Sequence, residues 1–191
     1  MYNQGYFQIE RHEPGIREKI SFFLSGLVIS VPISLFLETM AKDYLRSILP
    51  PGLASFLLIT VMAPVIEEYS KIYPLFHRHA ETEKNIMNLA FLIGLGFGIS
   101  EFFIYVFGLG APVYIRVPAI LFHATNASIT AYGVAKNNAT KYYSFAVGLH
   151  FLNNFFAEFG ELWFLGGVGA TLFSYYYAWR LYQRVSDIEY N

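Results

Sequence analysis

The stretch LASFLLITVMAPVIEEYSKIYPLF, residues 53–76, decides the fold. It opens as an unbroken apolar run and then, within the length of a single membrane crossing, sets Glu67, Glu68 and Lys71 close together. A hydrocarbon core about 30 Å thick is crossed by a helix of about 20 apolar residues, so the stretch reads as a span. Its charges are then intramembrane charges, which cost about 2.5–3.5 kcal/mol each on insertion scales and normally face protein or a polar cavity.

Working outward, five more segments have the same character. The expected spans run from about Ile20 to Leu37, Leu53 to Phe76, Ile86 to Phe107, Pro112 to Ala135, Tyr142 to Ala157, and Leu162 to Tyr182. The short connection FAEFGELWF separates the last two, with Gly160 and its flanking acids read as a turn. Composition agrees: of 191 residues 55% are hydrophobic and only 14% charged. A soluble domain of this size carries about 25% charged residues. The prediction is an all-α bundle of six transmembrane helices, one domain over residues 1–191, with residues 1–19 as a polar segment lacking the pattern of a cleavable signal.

Charge asymmetry sets the expected orientation. Arg11, Arg17, Lys19, Arg78, Lys84, Lys136, Lys141, Arg180 and Arg184 fall on one side, while only Lys42 and Arg46 are read as loop residues on the other. Both termini are therefore predicted to be cytoplasmic. The net charge of −1 offers no basic field for nucleic acid. Without cysteine there are no disulfides, iron–sulfur clusters or thiol nucleophiles. Arg116 is expected to snorkel at the outer boundary, and His77 and His79 to lie at the interface. The glycosylation sequons at Asn126 and Asn138 fall in a span and a cytoplasmic loop, so neither is read as glycosylated.

Polar chemistry recurs in four consecutive spans: Glu67, Glu68 and Lys71; then Glu101; then Arg116, His123, Asn126 and Thr130; then His150, Asn153 and Asn154. Helical spacing lets either glutamate pair with Lys71, and His150 and Asn154 share a face. Pro64, one turn before the glutamates, lacks an N–H and so frees a backbone carbonyl. Gly94 and Gly98 share a face with Glu101 and let a neighbouring helix come close. Counted from the cytoplasmic end of each span, Glu67 lies about 14 Å deep, His150 about 12 Å, His123 and Asn154 about 18 Å, and Glu101 about 22 Å. Taken singly, each feature reads as a structural ion pair or a helix-to-helix hydrogen bond. Together they place one carboxylate, two imidazoles and an amide at one level near the midplane.

Such a group is suited to activating water. A weakly solvated carboxylate held near an ammonium can act as a base, with imidazoles as proton donors or metal ligands and an amide facing a developing oxyanion. Zinc accepts two histidines, a glutamate and water, and His123, His150 and Glu67 are candidates for that set. There is no HExxH helix, and metal-free chemistry is equally compatible. The same residues at the midplane would also suit a proton- or cation-coupled transporter, although no internal repeat is present.

Four motifs in order, APVIEEYSK, GLGFGISEF, RVPAILFHATNASITAYG and GLHFLNN, resemble those of PrsW-like intramembrane proteases. These are relatives of the CAAX-prenyl endopeptidases within the CPBP group. The resemblance covers about Ala63 to Asn154. It implies an intramembrane endopeptidase, with Glu67 or Glu68 activating water, His123 as partner, and His150 with Asn154 at a metal or an oxyanion. Lys71, Glu101 and Arg116 would be supporting residues. It further implies membrane-anchored protein substrates and a prokaryotic plasma membrane. A non-catalytic membrane scaffold is the other alternative, since related proteins of that kind are known. The chain departs from the family pattern in having two glutamates where many members have three, and Phe102 where asparagine is frequent.

Overall fold

The computed structural model describes residues 12–78, 82–162 and 164–185. Arg11 and His79, which figure in the expectations above, lie outside them. Six helical rods follow one another: α1 Ile16–Ile48, α2 Pro51–His77, α3 Glu83–Gly108, α4 Val113–Ala135, α5 Ala139–Ala157, and α6 over 165–182. No strand occurs among the described residues. The first three rods are long and apolar enough to cross a membrane.

Local sequence marks most of the ends. Pro50 and Pro51 open α2, and Pro112 precedes α4. The Thr82 hydroxyl accepts the Asn85 N–H at the start of α3. Gly160, at φ 58, takes the left-handed conformation that turns the chain between α5 and α6. Two of the rods contain a π-helical turn shortly before a proline. Gly26–Ser30 precedes Pro32, and Leu58–Met62 precedes Pro64. The wider turn accommodates a residue that can neither donate an N–H nor tolerate the carbonyl four residues back.

Lys42 and Arg46 are not in a loop: α1 continues unbroken to Ile48, leaving only two residues before α2. The charged stretch ETMAKDYLRSI was read as leaving the membrane, and charge does end an apolar run. It does not end a helix, because Glu38, Met40, Ala41, Lys42, Leu45 and Arg46 are good helix formers.

The pattern of burial is that of a protein covered by lipid. Phe107, Leu109, Val28, Phe36 and Leu172 are exposed, while Glu68, Lys71, Asn126, Thr60 and Ser174 are fully buried. Residues Phe122–Gly133 of α4 are buried without interruption, making this helix the centre of the bundle. Small residues permit that centre. A Cβ on Gly94 would stand 2.4 Å from the His123 carbonyl oxygen, and one on Gly98 2.8 Å from Ile120 Cα, so α3 and α4 run antiparallel almost backbone to backbone. On the other face of α3, Gly96 meets Phe23 of α1 in the same manner.

Candidate active site

The polar residues of α2 to α5 converge on one buried point. Glu68, fully buried, is its structural hub. Its Oε1 accepts hydrogen bonds from Lys71 Nζ at 2.6 Å, Asn126 Nδ2 at 3.1 Å and His150 Nδ1 at 2.8 Å. Asn126 also donates to the Ala146 carbonyl at 2.8 Å, so one amide ties α2, α4 and α5 together. It is fully buried, which leaves its sequon inaccessible.

Each imidazole is held by a carboxylate on one nitrogen. His123 Nε2 lies 2.8 Å from Glu101 Oε2, and His150 Nδ1 hydrogen-bonds to Glu68 Oε1. A carboxylate behind a histidine in this way fixes its tautomer and aims the other nitrogen. Both remaining nitrogens face Glu67. Its Oε2 lies 3.6 Å from His150 Nε2 and 3.9 Å from His123 Nδ1. That oxygen is buried and has no hydrogen-bond partner. A buried carboxylate oxygen without a donor is costly unless something cationic or protic is meant to meet it. One ligand atom from each of Glu67, His123 and His150 lies within 4.8 Å of the others, so the three residues could hold a metal ion. Two imidazoles, a carboxylate and their outer carboxylates fit zinc chemistry well.

Arg116, near the start of α4, is turned towards α3. Its Nη2 is 3.3 Å from Glu101 Oε2, and its guanidinium lies 3.8 Å over the Tyr105 ring. The close approach of α3 brings a carboxylate and an aromatic face within reach, which compete successfully with snorkelling. Asn154 is not brought into the group. It donates to the Ile59 carbonyl at 3.0 Å and accepts from Asn153. Ala63 N–H bonds to the Leu58 carbonyl in the π turn, so the next N–H in that register would be that of Pro64, to Ile59. Proline has none, and the Asn154 amide fills the gap. Tyr143 makes a second such tie, its hydroxyl donating to the Val65 carbonyl at 2.8 Å.

In the sequence Asn126 reads as a polar residue of its span and an unused sequon, not as a site residue. Its spacing of three from His123 places both on one face of α4 and was the available signal. Glu38 of α1 drew no notice. It lines, with Ser34, Phe97, Glu101 and Tyr105, a cavity of about 140 Å³ that reaches the site at Glu101.

A donor set of this kind, packed against three helices long and apolar enough to cross a membrane, is suited to metal-assisted hydrolysis. A family model described as PrsW family intramembrane metalloprotease matches residues 16–180, and the chain belongs to that family. Comparisons with curated proteins and with solved structures gave no match. The protein is therefore an integral membrane peptide hydrolase whose Glu67, His123 and His150 are compatible with its metal.

Proposed function

We propose that this chain is a zinc-dependent endopeptidase that cuts membrane-anchored proteins in the prokaryotic plasma membrane. Six spans would place both termini in the cytoplasm. The observation that carries the reading is Glu67 Oε2, buried, unpartnered and faced by both imidazole nitrogens. Glu67, His123 and His150 would hold the ion, which supplies Lewis acidity and a more acidic water.

The protein's own groups divide the remaining work. Glu68 is saturated on one oxygen by three donors, so it serves as an anchor and leaves Glu67 as the base. A carboxylate that ligates through one oxygen retains the other to take a proton from water and return it to the leaving amine. Glu68 orients His150, and Glu101 orients His123. Arg116 balances the charge of Glu101. Asn126 fixes Glu68, and Asn154 holds the π turn of α2 that carries the glutamates. Phe97 and Phe122 pack on the imidazoles and keep bulk water away.

The test is reconstitution in lipid with a library of membrane-anchored peptides. Cleavage that is abolished by Glu67→Gln and by a chelator supports the reading. Ion-driven flux without cleavage overturns it in favour of transport.

A further inference from the structure

Among the described residues Lys71 is the cation in direct contact with the donor set, and it has no solvent exposure. Its Nζ lies 2.6 Å from Glu68 Oε1, 3.0 Å from His123 Nδ1 and 5.0 Å from the Phe97 ring centroid. An ammonium has three protons and no lone pair, so towards His123 it can only donate. Nδ1 therefore accepts, and the ring proton sits on Nε2, where Glu101 takes it at 2.8 Å. His123 thus has a single lone pair, and Lys71 occupies it. A divalent cation held by Glu67, His123 and His150 needs that same lone pair.

We propose that Lys71 is an internal counter-cation: it caps His123 and must move aside before a divalent metal is bound, so it sets the affinity of the site. The inference rests on the metal-centre reading above. The structure also supplies the place to which Lys71 moves. Glu68 Oε2 is buried with no hydrogen-bond partner, on the carboxylate that already holds Lys71 through Oε1. A shift of Nζ from His123 to Oε2 keeps the ammonium paired on one carboxylate and frees Nδ1. No backbone movement is required, because the lysine stem is flexible.

Two consequences distinguish this from a generic positive charge near a metal. Loss of Lys71 removes both the repulsion and the cap, whereas loss of Arg116, which touches Glu101 but neither Glu67 nor His150, removes repulsion alone. The full-length chain, purified in detergent and stripped with a chelator, is titrated with Co²⁺ and followed by its visible d–d absorption. Lys71→Met, which keeps the stem but has no donor, should bind Co²⁺ at least about tenfold more tightly than wild type, the worth of one charge-assisted hydrogen bond. Its spectrum should be unchanged in shape, and Arg116→Gln should shift the affinity by less than about threefold.

Equal or weaker binding by Lys71→Met, or an equal gain in Arg116→Gln, overturns the cap. If no version of the chain binds Co²⁺ or Zn²⁺, the metal-centre reading itself fails, and this inference with it. Should Lys71→Met not fold, wild type labelled with ¹⁵N-histidine gives the same answer by solid-state NMR in lipid. The His123 Nδ1 signal, assigned with His123→Gln, should report an accepted hydrogen bond in stripped protein that is lost when Zn²⁺ is added. An Nδ1 signal carrying its own proton in stripped protein overturns the proposal.

Discussion

His150 stands between two glutamates adjacent in the chain: its Nδ1 bonds to Glu68 Oε1 at 2.8 Å and its Nε2 lies 3.6 Å from Glu67 Oε2. One imidazole thus separates the pair into an anchored carboxylate and a free one. Neutralising each should have different results. Glu67→Gln should lower peptide cleavage by about 10²–10⁴-fold while leaving the melting temperature in detergent nearly unchanged. Glu68→Gln should unfold at a clearly lower temperature, because an ammonium left buried without its counter-charge costs about 3–5 kcal/mol. Equal loss of stability in both would deny the division.

Metal content gives a direct check on the imidazoles. His123→Ala and His150→Ala should each lose bound zinc by elemental analysis of purified protein. Glu101→Gln, which removes the carboxylate behind His123, should weaken metal affinity by about 10–100-fold. Zinc retained at wild-type stoichiometry in His150→Ala would exclude it as a ligand.

Gly94 should prove as sensitive as a site residue although it bears no functional group. A Cβ there would sit 2.4 Å from the His123 carbonyl oxygen and 2.7 Å from Ala124 Cα. In Gly94→Ala, α3 and α4 must part by about 1 Å to restore normal contact. A displacement of that size can cost about 10²-fold in rate. Gly52→Ala, with nothing within 4 Å, is the control and should cleave normally.

The proposed topology can be read by labelling, because the chain has no cysteine to remove. Leu109 is 70% exposed at the end of α3, and Thr140 lies exposed at the start of α5. In intact cells, Leu109→Cys should react with a membrane-impermeant thiol reagent. Thr140→Cys should react only after permeabilisation. Reaction of both in intact cells would overturn the six-span arrangement.

Much of the site was legible because intramembrane charge is so costly that its position alone carries meaning. Counting residues along helices puts Glu67, His123, His150 and Asn154 near one depth and Glu101 deeper; the structure brings Glu67, Glu68, Glu101, His123 and His150 together and leaves Asn154 outside. What escaped depended on backbone detail that side-chain spacing does not encode. Asn154 shares a helix face with His150, yet its amide goes to the carbonyl that the π turn and Pro64 leave without a donor. That partner becomes visible only once the turn is known to be wide. Arg116 was sent to the lipid boundary because an arginine near a helix end usually goes there. Finding Glu101 and Tyr105 beside it required knowing how closely α3 and α4 approach. The extent of α1 was missed because hydropathy reports where a chain leaves lipid, and a helix can continue beyond it.

That extent has a consequence of its own. Thirty-three residues of helix measure about 50 Å, well beyond the thickness of the hydrocarbon layer. Its apolar part, from about Ile20 to Leu37, is about 27 Å long, so in a thinner bilayer α1 must lean, and the degree of lean varies with acyl-chain length. Since α1 lies against α3 at Gly96 and Gly26, its lean is transmitted to the helix that bears Glu101. Bilayers of short- and long-chain lipid should therefore tune this enzyme as a dial, with the membrane's own thickness as the setting.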